Sequence, residues 1–582
     1  MTTMARTDQF HEESLWFGTS DRPLLGRLTT PVGKTSRGGV LLSPPIGRES
    51  RQARRALRSL AAFLAIDGFV SLRYDHYGTG DSGGSMDDDD FDQAWIEGVH
   101  QATDLLRSLG VTSISAVGMR MGATIVGTAA STYDLGLSSF VMWDPCESGR
   151  TYVRELSALG ALGRNVVTSD AGTPTKMLEY ALSDEAERRL NRFSLTEPTS
   201  SALADRVLVV ARDDRPISKK FRARWDSANV DWVTTSEQGS MLETQLPSTV
   251  QPVTTIEEIR AWVTTPTSLP TPFSDPPRTF DTVMKSGSET VAVRERVVEL
   301  GSQRLFGIVT EPVGDVQGPL IVMVNGVNED HVGPARLWVE LSRRWASLGL
   351  RCVRFDSSYL GESPLPHDES TRSLLAKNRQ QDVVDVVRAL KPTDAADSVL
   401  IGYCNGARLA LEVALELKTR GVCGMNPQVG TGVSLNIDRL ESDERESIRS
   451  FAQRTDDLLK RHGLMNRMFR RLSQSVRSSA LGGRAVSGLL KLSSICPPKV
   501  RAALAINHTE ILLLLSPEDL SSLRKIPVLG SIVRRRLASS EHFHVEIVPE
   551  LDHAFLSTLG RERAVKLLDR HVTETLTSTG VK

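Results

Sequence analysis

Cysteine is scarce in this chain of 582 residues, and its spacing fits neither a zinc site nor a disulfide framework. The five cysteines are odd in number and scattered, and no pair has Cys-x-x-Cys spacing: they are Cys146, Cys352, Cys404, Cys423 and Cys496. Reduced thiols in a cytoplasm are the simplest interpretation of this usage. We therefore expect a cytoplasmic protein.

The chain has no excess of either charge sign and no long apolar run. A net charge of −1 gives no global field for nucleic acid or an anionic membrane. No run approaches the roughly 18 apolar residues of a membrane helix, and residues 1–20 lack the apolar segment of a signal peptide. The loop around Gly78 and Gly80 lacks the Gly-x-Gly-x-x-Gly fingerprint. We expect no cofactor, no metal, no nucleic-acid partner and no integral membrane segment, while the oligomeric state stays open.

Alternating strand and helix patterns run through residues 36–127 and again from residue 320 onward. Short buried strands separated by helices of this length predict parallel β-α-β units. The loop Asp75–Ser82 has a counterpart, Asp356–Ser363, in which both ends are displaced by 281 positions. A Gly-x-x-x-Gly turn at residues 118–122 has a counterpart at 402–406, displaced by 284 positions. We interpret this order of landmarks as a tandem duplication of one α/β domain.

The predicted division is a first half of residues 1–265, a linker at 266–288 and a second half of residues 289–582. The linker region is rich in Pro and Thr, and its place between the repeats favours a linker over an ordinary surface loop. Each half carries an insertion, at about 149–198 and at about 431–498. We interpret both as helical lids over a pocket; a solvated amphipathic helix is the alternative.

The turn in the second half reads Gly402-Tyr403-Cys404-Asn405-Gly406. An apolar strand pattern precedes it and an Ala- and Leu-rich helical pattern follows it. This is the strand–turn–helix context of a nucleophile elbow, in which the central side chain is held exposed on a tight turn. Cys404 is therefore the candidate nucleophile, although a small buried cysteine at a turn is the alternative.

Two further residues complete a catalytic set in the second half. A buried strand pattern at 511–515 opens into Ser516-Pro517-Glu518-Asp519, and His553 follows the last predicted strand. His553 can accept the proton of Cys404 and return it to the leaving group. Asp519 can orient His553, with Glu518 as the neighbouring candidate. A satisfied loop histidine is the alternative for His553.

An oxyanion needs two hydrogen-bond donors in such a site. One is the backbone N–H of Asn405, the residue after the nucleophile. The other is expected from the loop after the first strand of the second half, near Gly326 and Val327.

The first half lacks this set. Arg120 stands where the nucleophile is due, and a guanidinium remains protonated and cannot attack. Asp213, followed by Asp214, keeps the acid position, but the sequence contains no histidine between His100 and His331. We predict a non-hydrolytic first half. Arg120 would either bind an anionic group, pair with one of these aspartates or fill a dead pocket.

With these residues in view, both halves resemble the α/β-hydrolase superfamily. The second half is also similar to serine-aminopeptidase-like hydrolases with a Gly-x-Cys-x-Gly elbow, through Asn-Gly-Val-Asn-Glu at 325–329 and Asn-Pro-Gln at 426–428. The first half, with residues 118–123 and Trp-Asp-Pro at 143–145, is similar to exosortase-associated hydrolase-like proteins with Arg at the elbow. The resemblance implies two tandem α/β-hydrolase domains, each with a mostly parallel sheet, flanking helices and a lid.

The leading functional hypothesis is a hydrolase that acts on an acyl ester or thioester through Cys404, His553 and Asp519. Its substrate would be a small or carrier-bound acyl compound. Because a thioester intermediate suits acyl transfer as well as hydrolysis, an acyltransferase is included. The alternative is a non-catalytic binding or scaffold protein of the same fold.

Overall fold

A computed structural model describes residues 10–161, 182–197, 203–227, 229–243, 250–265, 269–275, 281–286, 291–326, 329–364, 379–391, 394–427, 509–519, 543–553, 555 and 558–575. The second predicted lid, at 431–498, lies outside these residues. The chain divides into two compact units. Unit 1 comprises residues 1–323, 328–367 and 554–565, and unit 2 comprises residues 324–327, 368–553 and 566–582. The predicted domain boundaries stay a prediction.

The first half of the chain lies in unit 1, where its described residues form a sheet with the order β1-β2-β5-β4-β6-β7-β8-β9. Pairing is antiparallel between β1 and β2 and between β2 and β5, and parallel across the rest of the sheet. The strands are β1 (Phe10–Thr19), β2 (Arg22–Pro31), β4 (Gly38–Ser43), β5 (Phe69–Tyr74), β6 (Ile114–Met119), β7 (Leu137–Trp143), β8 (Arg206–Arg212) and β9 (Val230–Thr235). A short strand β3 (Thr35–Ser36) stands apart from this sheet.

Helices cover both faces of this sheet because its central strands are apolar on both sides. In β4, Leu41 joins the core on one face, while Val40 and Leu42 join the core on the other. The helices of the first half are α1 (Arg48–Ile66), α2 (Phe91–Ser108), α3 (Met121–Thr132), α4 (Gly149–Ala161), α5 (Asp184–Leu190), α6 (Lys219–Arg224), α7 (Gln238–Glu243) and α8 (Val253–Thr264). Helices α4 and α5 lie within the first predicted lid.

Unit 1 also contains the first strands of the second half, in the order β11-β12-β13-β15-β14. They are β11 (Asp281–Ser286), β12 (Val291–Leu300), β13 (Leu305–Pro312), β14 (Leu320–Val324, whose last residue belongs to unit 2) and β15 (Arg351–Phe355), with a 3₁₀ turn (Pro334–Arg336) and α9 (Leu337–Ser347). Part of the predicted linker is thus strand: β11 pairs with β12, and β10 (Thr271–Pro272) pairs with β3.

In unit 2, the described residues form four parallel strands in the order β16-β17-β18-β19. They are β16 (Ser398–Tyr403), β17 (Gly421–Met425), β18 (Glu510–Leu515) and β19 (Phe543–Ile547), accompanied by α10 (Arg379–Leu390) and α11 (Asn405–Leu417). Near the end of the chain, α12 (Thr558–Arg570) continues into a wide helical turn (His571–Thr575).

The strand orders of the two halves correspond. The order β12-β13-β15-β14 repeats β1-β2-β5-β4, and β16-β17-β18-β19 repeats β6-β7-β8-β9. The predicted fold class, two domains with mostly parallel sheets flanked by helices, is confirmed. None of the described helices combines the length and the apolar character that a membrane crossing needs.

Candidate functional site

Cys404 lies at the apex of a tight turn between β16 and α11. Its φ of 55° and ψ of −119° belong to a region that non-glycine residues rarely adopt. The flanking glycines make the turn possible, because a Cβ on Gly402 would come 2.3 Å from the Gly406 carbonyl oxygen. A Cβ on Gly406 would come 2.3 Å from the carbonyl oxygen of Val324. The half-buried thiol is therefore held on a strained backbone at the carboxyl end of a strand.

Arg120 occupies the same backbone geometry in the first half. Its φ of 52° and ψ of −123° match those of Cys404 within a few degrees. Gly118 and Gly122 are equally constrained, since a Cβ on Gly122 would come 2.3 Å from the carbonyl oxygen of Ser43. The elbow is thus a backbone feature of both halves, and the two differ in the side chain that it presents.

His553 links the thiol to an acid within unit 2. Its Nδ1 lies 3.0 Å from both carboxylate oxygens of Asp519, and its side chain is hydrogen-bonded to Cys404. The hydrogen bonds to Asp519 and then to Cys404 raise the pKa of His553 to about 10. Glu518 is exposed, so it is Asp519 that the structure places against the imidazole.

Asn426 holds the loop that carries His553 and the loop that carries Asp519. The sequence did not predict this role. The side-chain N–H groups of Asn426 donate to the carbonyl oxygens of Asp552 and His553, at 3.1 and 3.2 Å. Its side-chain oxygen accepts from the backbone N–H of Ser516 at 2.8 Å. The Ser516 hydroxyl in turn donates to Asp519 at 2.6 Å. A detectable signal was an Asn directly after a strand, since Asn tolerates the positive φ, here 42°, that this position requires.

Of the three residues predicted to stabilise the oxyanion, the structure describes Asn405 and Gly326. Asn405 opens α11, and the first N–H groups of a helix have no acceptor within that helix. Gly326 is buried and its carbonyl oxygen accepts from Arg379 at 3.3 Å. Val327 lies outside the described residues.

The elbow residue of the first half is surrounded by carboxylates. The Arg120 guanidinium is buried and donates to Glu49 at 3.1 Å and to both oxygens of Glu155 at 2.8 and 2.9 Å. Asp144 lies 3.6 Å away. Asp213 is exposed instead. The pairing of Arg120 with Asp213 or Asp214 is therefore not what the structure has.

Those carboxylates reach Arg120 from elements that precede and follow the elbow: Glu49 is on α1, Asp144 follows β7 and Glu155 is on α4. Burial raises the pKa of Glu49. The guanidinium is thus paired with carboxylates of its own half, while the interpretation of Arg120 as a side chain that fills a dead pocket stays a prediction. Among the described residues, no group of three or more His, Cys, Asp and Glu side chains could hold a metal ion.

Comparison with known proteins gives structural matches alone. No protein-family model matches the chain. No curated protein matches it either. Three solved structures illustrate the matches. A serine hydrolase without a lid from Xanthomonas campestris is 15% identical, with 48% of this chain and 94% of that chain covered and a TM-score of 0.27. The proline iminopeptidase of Mycobacterium smegmatis is 17% identical, with 44% and 97% covered and a TM-score of 0.29. The haloalkane dehalogenase DatA of Agrobacterium tumefaciens is 19% identical, with 48% and 96% covered and a TM-score of 0.30.

Proposed function

We propose that the second half is a hydrolase of the α/β-hydrolase fold that acts on acyl esters or thioesters through Cys404. The observation that carries the proposal is the contact series from the Cys404 thiol to His553 and on to Asp519. A nucleophile, a base and a group that orients the base are the parts that nucleophilic catalysis needs. The same contacts favour this enzyme over the alternative of a non-catalytic binding or scaffold protein.

In the proposed reaction, His553 already holds the proton of the Cys404 thiol, and the Sγ of Cys404 attacks the acyl carbonyl carbon as a thiolate. The carbonyl π electrons move to oxygen, and the N–H of Asn405, with a second donor expected near Gly326, stabilises the oxyanion. Collapse breaks the bond to the leaving group, which takes the proton from His553. Water, deprotonated by His553, then attacks the thioester, releases the acid and restores the thiol.

An acyl acceptor other than water would complete the second step equally well. The products separate the two outcomes when the reaction runs in ¹⁸O-labelled water with an added alcohol or amine. Hydrolysis places the label in the released acid, whereas acyl transfer yields an unlabelled ester or amide.

Replacing Cys404 by alanine tests the nucleophile. We expect turnover of p-nitrophenyl esters and acyl thioesters to fall by at least about 10³-fold, because the covalent route is lost. Cys423→Ala is the control, since this buried cysteine lies in β17 and has no contact with His553 among those described. Unchanged turnover in the purified Cys404→Ala protein would contradict the assignment of Cys404 as the nucleophile.

We also propose that the two halves arose by duplication and that the first is a degenerate, non-hydrolytic copy. The shared strand order and the matching backbone angles at Arg120 and Cys404 support this origin. The carboxylates around Arg120 support the loss of function, because a buried guanidinium with three acidic neighbours leaves no nucleophile at the elbow.

A further inference from the structure

Hydrogen bonds within unit 2 close into a ring of four residues around the acid and the histidine of the candidate site. The side chain of Asn426 accepts from the backbone N–H of Ser516, and the Ser516 hydroxyl donates to Asp519. Asp519 bonds to Nδ1 of His553, and the His553 carbonyl oxygen accepts from the amide of Asn426, which closes the ring. Because each member is held from two sides, none can turn without breaking a bond of the ring.

The position of Asn426 suits an amide. Its side chain is fully buried, and it faces two carbonyl oxygens on one side and a backbone N–H on the other. An amide offers two N–H donors and an acceptor oxygen, so it satisfies all three groups. A carboxylate would place negative charge against the two carbonyl oxygens, and an aliphatic side chain would offer neither donor nor acceptor.

The ring is also tied to the elbow. Asn426 is the residue after β17, and the residue before it, Met425, accepts from the backbone N–H of Cys404 at 2.9 Å. The backbone N–H of Asn426 donates to the Leu514 carbonyl oxygen in β18, also at 2.9 Å. Asn426 therefore stands between the strand that supports the nucleophile and the two loops that carry the acid and the histidine.

The first half has the same backbone position with a different side chain. Asp144 follows β7, has a φ of 43° where Asn426 has 42°, and donates from its backbone N–H to a carbonyl oxygen of β8 at 2.8 Å. Its carboxylate lies 3.6 Å from Arg120 and 3.8 Å from Arg212. The side chain at this position thus pairs with arginines in the half whose elbow carries an arginine, and it holds two loops in the half whose elbow carries a thiol.

We propose that Asn426 is a positioning residue of the second half, which closes the ring and thereby holds the His553 imidazole in the direction of Cys404. This inference rests on the proposed function, because it assigns the ring to the reaction of Cys404. Asn426 acts through Ser516 and His553, so it takes no part in making or breaking bonds of the substrate.

Two variants open the ring at Asn426, and a third serves as a matched control. Asn426→Asp keeps the shape of the side chain and the acceptor for Ser516, but it removes at least one of the two donors. Asn426→Gly removes the side chain and suits the positive φ of this position.

Thr509→Val is the control. The buried Thr509 hydroxyl donates to the Thr419 carbonyl oxygen at 2.8 Å, just before the amino ends of the same two strands, β17 and β18. The control therefore loses a buried hydrogen bond between the same parts of the sheet, roughly 20 Å from the ring along β18.

We expect both Asn426 variants to lower kcat for an acyl ester by about 10- to 100-fold with KM unchanged, because a turned imidazole is felt in the transition state. Alkylation of Cys404 by iodoacetamide at pH 6, followed by mass spectrometry of its peptide, should slow by at least about 10-fold. An ordinary thiol has a pKa of about 8.5, so at pH 6 it reacts slowly unless a neighbouring imidazolium keeps it as thiolate. Thr509→Val should lower the midpoint of urea unfolding but leave kcat and the alkylation rate unchanged.

Ser516→Ala opens the ring at a second point, since it removes the hydroxyl that donates to Asp519. If the ring acts as one unit, adding Asn426→Asp to Ser516→Ala should lower kcat little further. Losses that multiply in the double variant would contradict the ring and overturn the proposal.

Unchanged kcat and alkylation in both Asn426 variants, or an equal loss in Thr509→Val, would also overturn it. If Asn426→Asp does not fold, Asn426→Gly decides the result. If the wild type turns over no acyl substrate, the proposed function has failed, and the alkylation rates still decide the role of Asn426. Slower alkylation of Cys404 in Asn426→Gly but not in Thr509→Val then supports the positioning role, and equal rates in the wild type and both variants contradict it.

Discussion

Raising the pH should weaken the contact between the two halves at a single histidine. His331 is buried between the carboxylates of Asp81 and Asp356. Burial by itself lowers the pKa of His331, but the charges of Asp356 and Asp81 more than offset this and raise it to about 10. In the unfolded chain the pKa of a histidine is about 6.5. The folded protein therefore keeps a proton that the unfolded chain gives up.

That difference decides whether the protein becomes more or less stable as the pH rises. A raised pKa stabilises the fold fully below pH 6.5 or so, and the contribution is lost as the pH rises through about 10. With 1.36 kcal/mol per pKa unit, His331 contributes about 4 kcal/mol at pH 7 and about 1 kcal/mol at pH 9. The free energy of unfolding should thus fall by about 3 kcal/mol between these two pH values on account of this residue alone.

Urea unfolding at pH 7, 8 and 9, followed by tryptophan fluorescence, measures this loss. Other titrating groups contribute to it, so the informative quantity is the difference between the wild type and Asp81→Asn. The variant removes one of the two carboxylates that raise the pKa of His331, and its loss between pH 7 and pH 9 should be clearly smaller. Equal losses in the two proteins would refute the reasoning, because they would show that His331 does not titrate as its surroundings require.

Two further predictions concern the candidate site. Asp519→Asn should lower kcat for an acyl ester by about 10³- to 10⁴-fold, because an amide cannot stabilise the imidazolium or hold its tautomer; Glu518→Gln should leave kcat unchanged, and a comparable loss there would reassign the acid. Gly406→Ala should lower the free energy of unfolding by roughly 2–3 kcal/mol, since its Cβ would press on the Val324 carbonyl oxygen. Gly314→Ala, whose Cβ would meet nothing within 4 Å, is the control in the same urea titration, and equal effects would contradict the packing argument.

The parts of the fold that depend on local pattern could be predicted from the sequence. The buried run before Cys404 forms β16 and the helical pattern after it forms α11, because strand and helix periods are properties of neighbouring residues. The elbow itself was recognisable for the same reason, since its two glycines flank the central residue.

The choice of acid could not be made from the sequence. Glu518 and Asp519 are adjacent and carry the same charge. What separates them is the direction of each side chain, fixed by the Ser516 hydroxyl that donates to Asp519 and by Asn426, which lies 90 positions earlier and holds Ser516. Such long-range hydrogen bonds have no periodic signature.

The partners of Arg120 and the role of His331 could not be predicted from the sequence, for a related reason. Glu49 comes from 71 positions before Arg120, and Asp81 from 250 positions before His331. Ion pairs over such separations depend on how completed sheets and loops pack, whereas the sequence shows only isolated charges.

Within unit 1 the two halves meet through reciprocal ion pairs, Asp81 with Arg354 and Glu362 with Arg73, and this reciprocity has a consequence for how the protein can change over generations. In a homodimer built on such an interface, one codon specifies both faces, so every substitution appears twice and must be tolerated twice. Within a single chain, each face has its own codon. The two elbows can then carry different side chains, Arg120 in one half and Cys404 in the other, and a histidine such as His331 can stand on one side only.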